Sequence, residues 1–288
     1  MTKLFIIGNG FDIQNRLPTS YRDFDSKYSA RLCEILEYFP DFFDDQEWSY
    51  FEENLGNFDE DNFRENSAWE PSMDDMIESS KYVNGYNDEI AEKVRELVGE
   101  VHDAFGAWIR GIDVTKASKF MTFPKECKFI NFNYTETLQK VYSIPNENVL
   151  HIHGKSRMNI IFGHCLGDGN KAASRSFDEN EPWFEEASQS LASVTDKLYK
   201  PVPQILNDNS GVLESYDNIS KIIVIGHSIN EIDIPYFKHI LATYPSAAWQ
   251  NWNYGAGIEE SHDKLLNLGV AKSKLSSLCS SQLGAYYP

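Results

Sequence analysis

The stretch LFIIGNGFD, from Leu4 to Asp12, decides the fold of this 288-residue chain. Its four apolar residues form a strand-like run that leads directly into the glycine turn Gly8-Asn9-Gly10. A strand that feeds a glycine turn opens many nucleotide-binding α/β domains, because glycine lets the backbone approach a phosphate closely. Ile13 stands where the full dinucleotide fingerprint has its third glycine, so an ordinary tight strand-to-helix turn is the alternative.

Three later segments repeat this layout of an apolar run followed by polar residues. They are KFINFNYTETL (Lys128–Leu138), VLHIHGK (Val149–Lys155) and KIIVIGHSINEID (Lys221–Asp233). In an open parallel sheet, ligands bind beyond the carboxyl ends of the strands. We therefore predict a Rossmann-like α/β fold, with a mostly parallel sheet flanked by helices and one pocket shared by four strand ends.

Apolar residues at helical spacing predict the remaining elements. We expect helices over 20–39, 87–112, 136–142, 183–208 and 234–244, and a further strand near 159. The Ser-rich tail from Ala271 shows no clear period. This pattern predicts one α/β domain over 1–288, interrupted by an acidic helical insertion at about 40–120.

The acidic balance of the chain excludes some classes of partner. The net charge is −18, and residues 41–90 hold 16 acidic residues against Arg64 and Lys81. Phosphate contacts need clustered Lys and Arg, so we expect no binding to duplex DNA or to an anionic membrane. We interpret residues 41–90 as a helical insertion with solvated faces; the alternatives are a docking surface for a basic partner and a gate over the pocket.

The cysteines and the N-terminus indicate a cytoplasmic protein. The four cysteines are widely spaced, so neither a zinc ribbon nor a disulfide framework is predicted. The chain enters a strand at once, without the pattern of a signal peptide, and contains no run of about 18 apolar residues.

Asn133 and His153 are the candidate catalytic residues. The Asn133 amide can donate and accept, so it can hold a ribose hydroxyl or a water, although a helix-capping asparagine is the alternative. His153 lies at a strand end before Gly154, which leaves room for a ligand, and imidazole titrates near neutrality as a general base does. Asp12 and Asp233 are candidate acceptors for sugar hydroxyls, or helix caps.

The pair His151 and His153 also raises the possibility of a metal site. On a strand, both side chains would point to the same face, and His164, Asp168 and His227 can complete a ligand set. No HExxH motif or cysteine pair supports this site, and a strand histidine is usually a satisfied core residue. We predict no metal site.

The motif order FIIGNGFD, LPTSYRDF, FNYTETL, HIHG and IIVIGHSINEIDIPYF resembles the AbiH family of phage abortive-infection proteins, within the sirtuin-like, NAD-binding Rossmann-type group. FNYT looks like the TNYD of defence-type sirtuins, which implies the catalytic-site asparagine at Asn133. HIHG looks like their HxHG, which implies the general base at His153. LPTSYRDF is similar to the Pro-containing loop that covers the cofactor, and IGHSINEID to the last strand and turn, which contact the adenosine half.

The resemblance also implies a set of NAD+-contacting residues: Gly8, Asn9, Gly10, Phe11, Asp12, Thr19, Gly154, Gly226, His227, Ser228 and Asp233. Three departures from the sirtuin pattern stand out. Thr135 replaces an Asp, so a ribose or nicotinamide contact is lost or is supplied by Glu136. The first turn reads GNGFD rather than GAGxS. The zinc-binding cysteine pairs of protein deacetylases are missing, which argues against acyl-lysine as the substrate.

The resemblance implies an NAD+ glycohydrolase that acts as an abortive-infection effector, with NAD+ as its substrate and no cofactor required. Its expected partners are NAD+ and either further copies of the chain in a homo-oligomer, a regulatory protein, or both. We expect the gating of such an enzyme to lie in residues 41–90 or 167–178. The alternatives are a non-catalytic sensor of NAD or ADP-ribose, which Thr135 favours, and a metal-dependent hydrolase that uses His151 and His153.

Overall fold

A computed structural model describes residues 2–40, 51–155, 160–165 and 182–288. The predictions made for residues 41–50, for Asp168 and for the loop at 167–178 lie outside the described residues. So does the centre of the strand predicted near 159, and residues 160–163 beside it form no strand.

Six parallel strands form one sheet in the described residues. They are β1 (Thr2–Ile7), β2 (Cys127–Asn131), β3 (Val149–His151), β4 (Ile219–Ile225), β5 (Ala248–Asn253) and β6 (Leu275–Cys279). Their order is β3-β2-β1-β4-β5-β6, and every neighbouring pair is parallel. This is the strand order of dinucleotide-binding Rossmann sheets. The predicted α/β class with a Rossmann-like sheet is confirmed.

Helices occupy most of the remaining described residues. They are α1 (Asn9–Gln14), α2 (Tyr21–Leu36), α3 (Phe51–Asn54), α4 (Glu60–Ser67), α5 (Met73–Glu78), α6 (Ser80–Arg110), α7 (Thr137–Lys140), α8 (Glu185–Lys197), α9 (Val202–Glu214), α10 (Ile234–Thr243), α11 (Gly257–Asn267) and α12 (Leu283–Tyr286). Four of the predicted helices are confirmed as α2, α6, α7 and α10. Among the described helices, none combines the length and the apolar character that crossing a membrane requires.

The single helix predicted over 183–208 is wrong, because α8 ends at Lys197 and α9 begins at Val202. Pro201 lies between them. Proline has no N–H to continue a helix, and it disfavours the helical conformation of the residue before it.

The sequence pattern did not reveal β5, nor the strand β6 in the Ser-rich tail that follows Ala271. The core strand β5 reads AWQNWN and buries Gln250 and Asn251 beside its tryptophans. The Asn251 side-chain amide donates to the hydroxyl of Ser261 at 2.8 Å, which gives its buried nitrogen a partner. Such polar residues interrupt the apolar run by which a buried strand is recognised. The Ser-rich strand β6 then adds to β5 at the edge of the sheet.

The central strand β1 sets the position of the functional residues. Its residues Leu4 to Ile7 are fully buried, as expected for a parallel strand covered on both faces. At its carboxyl end, Ile7 pairs with Asn131 on one side and with Ile225 on the other, and Asn131 pairs with His151. Four strands therefore end in register along one edge, and the glycine turn and the motifs FNYT, HIHG and IGHS follow that edge.

The chain divides into two compact units. The first unit comprises Met1–Ser20, Trp108–Ile161 and Pro201–Pro288 and contains the sheet; the second comprises Tyr21–Ala107 and Phe162–Lys200. The second unit is helical, with stacked aromatic rings such as Phe105 on Phe162 at 4.1 Å in its core. One domain over 1–288 with an insertion at about 40–120 stays a prediction.

Candidate functional site

Three glycines join the end of β1 to the end of β4. The backbone N–H of Gly8 donates to the carbonyl of Ile225 at 2.9 Å, and that of Gly10 to the carbonyl of Gly226 at 2.8 Å. A Cβ on Gly8 would lie 2.6 Å from the Gly226 carbonyl oxygen, and one on Gly226 would lie 2.5 Å from the backbone nitrogen of Phe11. Packing of backbone against backbone thus requires these glycines, and a role in phosphate binding stays a prediction.

Asn133 fastens the loop after β2 to this glycine turn. Its side-chain amide donates to the Gly8 carbonyl at 3.1 Å, and its backbone N–H donates to Oδ1 of Asn131 at 3.2 Å. Asn131 also donates to the Thr135 carbonyl at 3.4 Å. The Asn133 amide nitrogen therefore has a structural task, while its amide oxygen is of the type that accepts from a ribose hydroxyl or a water. Sequence reasoning missed Asn131, although it ends a strand directly before the motif.

A buried carboxylate lies beside the same loop. Asp12 is only 1% exposed, and its Oδ2 accepts a hydrogen bond from the hydroxyl of Thr135. Its Oδ1 is buried and has no hydrogen-bond partner among the described residues. Burial raises the pKa of Asp12 to about 6, against the opposing hydrogen bonds of Thr135, Thr137 and Asn133. The group therefore titrates close to neutral pH, in the range useful for acid-base chemistry.

Asp12 brings a carboxylate to Thr135, the position at which the sirtuin pattern carries an aspartate. Glu136, the substitute that the sequence predicts, is bound to Lys140 at 3.1 Å and to Lys155 at 3.3 Å. Burial alone would raise the pKa of Glu136, but its bonds to the two lysines have the larger combined effect, so the pKa is lowered. Glu136 is thus a stable ion-pair partner, and Asp12 is the carboxylate that contacts Thr135.

His153 lies in an aromatic cluster around Phe132. The His153 ring is 3% exposed, and its Nε2 lies 3.3 Å from the hydroxyl of Tyr236. The Phe132 ring meets His153 edge to face at 5.3 Å and His227 at 4.5 Å. Sequence reasoning missed Tyr236, although it lies in the first turn of the helix that follows the β4 motif.

The β4 turn brings His227 and Asp233 together. Nδ1 of His227 accepts the backbone N–H of Ile229 at 2.9 Å, so the proton of the neutral ring is on Nε2. That nitrogen lies 3.5 Å from Oδ2 of Asp233. Both residues were predicted to line the adenosine side, and the structure places them in contact with each other.

The other predicted ligand contacts differ in how accessible they are. The Asn9 side chain donates to the Thr19 carbonyl at 2.7 Å, and the Thr19 hydroxyl is buried without a hydrogen-bond partner among the described residues. Phe11 is fully buried in the core behind the turn, so its ring packs against other aromatic residues. Gly154 adopts φ +78°, and Ser228 is exposed.

The structure does not combine His151 and His153 as metal ligands. β3 ends at His151 and His153 follows in a turn, so the predicted same-face alternation is wrong. Nε2 of His151 accepts the Gln139 amide at 2.8 Å, and Nδ1 lies 3.3 Å from the Asn133 carbonyl. His164 lies in the second unit, where Nε2 is 2.9 Å from the Thr195 carbonyl. In the part of the chain that the structure describes, no three His, Cys, Asp or Glu side chains form a metal-binding group.

The family model described as "Bacteriophage abortive infection AbiH" matches residues 4–253. This protein belongs to the AbiH family. The AbiH match runs from β1 to the end of β5 and so includes every residue of the candidate site. Membership gives this AbiH protein a role in bacteriophage abortive infection. No curated protein and no solved structure matches the chain.

In this AbiH protein, we expect His151 to stay neutral throughout the physiological pH range. Burial lowers the pKa of His151 to about 4, against the opposing hydrogen bond to the Asn133 carbonyl. An NMR titration of the histidine ring protons should therefore show one imidazole that remains unprotonated at pH 5, and His151→Gln should remove that signal. The control is His262→Gln, at a half-buried histidine of α11, which should leave it in place. Protonation of His151 near pH 6.5 would contradict the hydrogen-bond assignment.

Proposed function

We propose that this AbiH protein hydrolyses the N-glycosidic bond of NAD+ and releases ADP-ribose and nicotinamide. The observation that carries the proposal is the buried carboxylate of Asp12, whose pKa is raised to about 6, at the glycine turn after β1. The strand order supports a dinucleotide ligand, because it reverses between β1 and β4. Ligands of Rossmann-like sheets bind at this reversal, beyond the carboxyl ends of the strands.

The chemistry needs a negative charge more than an acid. When the bond between nicotinamide and ribose C1′ breaks, the bonding pair leaves with nicotinamide, which changes from cationic to neutral and requires no proton. Positive charge develops on the ribose as an oxocarbenium-like state. Above pH 6 the Asp12 carboxylate is ionised, and a buried negative charge stabilises such a cation strongly because little water screens it.

The remaining proton comes from the attacking water. We assign His153 as the base that takes this proton while the water oxygen bonds to ribose C1′. Tyr236, 3.3 Å from His153 Nε2, is a positioning residue for the imidazole. We assign the amide oxygen of Asn133 to a ribose hydroxyl or to the water. The glycine turn and the His227–Asp233 pair would contact the rest of the dinucleotide.

The relation to the sirtuin-like group is part of the same proposal. It is supported by the motifs FNYT and HIHG, which follow β2 and β3 at the edge where Asp12 lies. We further propose a cytoplasmic protein, where NAD+ is abundant, that needs no cofactor beyond this substrate. A glycohydrolase in a living cell has to be silent before infection, so control through a homo-oligomer or a regulatory protein belongs to the proposal.

Loss of NAD+ and release of nicotinamide by the purified protein test the proposal. We expect turnover by the parent and about 100-fold slower turnover by His153→Ala, with a similar loss for Asn133→Ala. His239→Ala on α10 is the matched control, because His239 faces Glu214 at 3.9 Å rather than the site. It should turn over NAD+ like the parent.

The same variants can be compared in phage-infected cells, where any trigger is present. We expect cellular NAD+ to fall after infection with the parent and with His239→Ala, but not with His153→Ala. Equal NAD+ levels in all three strains, together with no turnover in vitro, would contradict the glycohydrolase proposal.

A second candidate function is a sensor that binds NAD+ or ADP-ribose without cleaving it. Thr135 favours it, since a hydroxyl occupies the position of the sirtuin aspartate. Calorimetric binding of NAD+ with no nicotinamide released, even in infected cells, would support the sensor over the glycohydrolase.

A further inference from the structure

The second unit contains an open cleft of about 430 Å³ at the beginning of α6. Tyr82, Gly85, Tyr86 and Glu89 line it at positions i, i+3, i+4 and i+7, which lie on one face of a helix. Trp69 stands opposite, with its ring 6.2 Å from that of Tyr82 and inclined at 72°. The volume is in the range of sites that hold small molecules or single side chains of a partner.

Two aromatic rings in this cleft are left in contact with solvent. Trp69 is 62% exposed and Tyr82 is 41% exposed. The faces of aromatic rings carry negative potential and attract cations, most strongly at tryptophan. Their arrangement at the mouth of a cleft is thus suited to a flat cationic group.

Tyr86, deeper in the cleft lining, carries an unsatisfied polar atom. The residue is 3% exposed, and its hydroxyl is buried with no hydrogen-bond partner in the described part of the chain. Its ring packs on Phe184 at 4.9 Å, so the hydroxyl is held in place. A buried hydroxyl without a partner costs free energy, and an N–H donor entering the cleft would relieve that cost.

The charges around the cleft favour a cation. Glu78 and Glu89 line it, against Lys81. The surrounding segment 41–90 carries a net charge of −14 within a chain of net charge −18. Long-range attraction of basic partners and repulsion of acidic ones follow from this field.

We propose that this cleft binds an arginine side chain within a basic segment of a partner protein. The planar guanidinium can stack on the exposed rings, donate to the glutamates and donate to a tyrosine hydroxyl, whereas the compact lysine ammonium cannot stack in this way. Basic segments of this kind are typical of proteins that bind nucleic acids. Under this proposal the acidic segment 41–90 contributes a docking surface for a basic partner, one of the alternatives to a helical insertion with solvated faces. This interaction does not depend on the NAD+ chemistry.

The binding test uses a fluorescein-labelled (Gly-Arg)4 peptide, its citrulline counterpart (Gly-Cit)4, and fluorescence anisotropy at constant salt. Gly85→Leu places an apolar side chain in the cleft lining, and its Cβ meets nothing within 4 Å. Gly99→Leu is the matched control: Gly99 also lies in α6, and its Cβ also meets nothing within 4 Å. Both substitutions keep the net charge and remove a helix-interior glycine, so both proteins should be at least as stable as the parent.

We expect (Gly-Arg)4 to bind the parent and Gly99→Leu equally, to bind Gly85→Leu at least tenfold more weakly, and to lose affinity similarly with Trp69→Ala. Met73→Ala controls for the loss of an exposed apolar side chain outside the cleft lining, since Met73 is 59% exposed. Tyr86→Phe should weaken binding about threefold without lowering stability. Equal affinity of Gly85→Leu and Gly99→Leu, or equal binding of (Gly-Cit)4 and (Gly-Arg)4 to the parent, would overturn the proposal. Either result leaves the glycohydrolase assay unaffected.

Discussion

Replacing Gly226 by alanine is expected to lower the free energy of unfolding by about 3 kcal/mol or more. Two costs combine at this position. Gly226 adopts φ +61°, where a side chain meets its own backbone, and a Cβ there would lie 2.5 Å from the Phe11 nitrogen and 2.6 Å from the Gly10 carbonyl carbon. Because these neighbours are backbone atoms in the first turn of α1, directly after β1, they cannot move aside without opening the sheet edge.

Urea unfolding followed by tryptophan fluorescence measures this loss. Gly255→Ala is the matched control, because Gly255 adopts φ +54° but a Cβ there meets nothing within 4 Å. The control isolates the conformational cost, about 1–2 kcal/mol. The difference between the two variants is then the cost of the clash. If Gly226→Ala were no less stable than Gly255→Ala, the backbone at Gly226 would not be packed tightly against that of Gly10 and Phe11.

Replacing Asp12 by asparagine is expected to raise the stability of the protein and to lower its activity, both by a large amount. At pH 7 the variant should be more stable than the parent, by up to about 3 kcal/mol, and should turn over NAD+ about 10²- to 10³-fold more slowly. The pKa of Asp12 is about 6 in the folded protein, against 3.8 as its ordinary value. Between these values the folded state keeps a proton that the unfolded state has lost. Stability therefore falls as the pH rises from about 4 to about 6, and asparagine removes that loss.

Unfolding curves between pH 4 and pH 8 distinguish this effect from a general one. The parent should lose stability across pH 4–6 relative to Asp12→Asn, while Asp208→Asn, at an exposed position of α9, should behave like the parent. If Asp12→Asn were less stable than the parent at pH 7, the buried, ionised carboxylate would not be destabilising the folded protein, contrary to the prediction. Undiminished NAD+ turnover by this variant would remove Asp12 from the proposed mechanism, whatever the stability result.

The sequence alone predicted four of the six described strands, from the edge strand β3 to β4. In β1, β2, β3 and β4 an apolar run marks the strand, and the polar motif that follows marks where the strand ends. β5 was not predicted because AWQNWN buries the polar side chains of Gln250 and Asn251, of which Asn251 donates to Ser261. β6 was not predicted because an edge strand such as LSSLC needs few apolar residues.

The site was predictable as a set of strand ends but not as a set of contacts. The register at Ile7, Asn131 and Ile225 follows from parallel pairing, so the four motifs were expected together. The bond between Thr135 and Asp12 joins residues 123 positions apart, and no local pattern encodes such a pair. The same holds for His153 and Tyr236, which are separated by 83 positions.

The pairing of β1 has a consequence for how the protein is made. Of the six described strands, β1 is synthesised first although it lies inside the sheet, and one of its neighbours, β4, begins at Ile219. At about 5–20 residues per second, translation leaves that strand without its second neighbour for on the order of 10 s or longer. The carboxyl edge around Gly8 and Gly226 therefore cannot assemble on a chain that ends before Gly226. Such a shorter chain contains Gly8 and Gly10 but lacks the Ile225 and Gly226 carbonyls to which their backbone N–H groups donate.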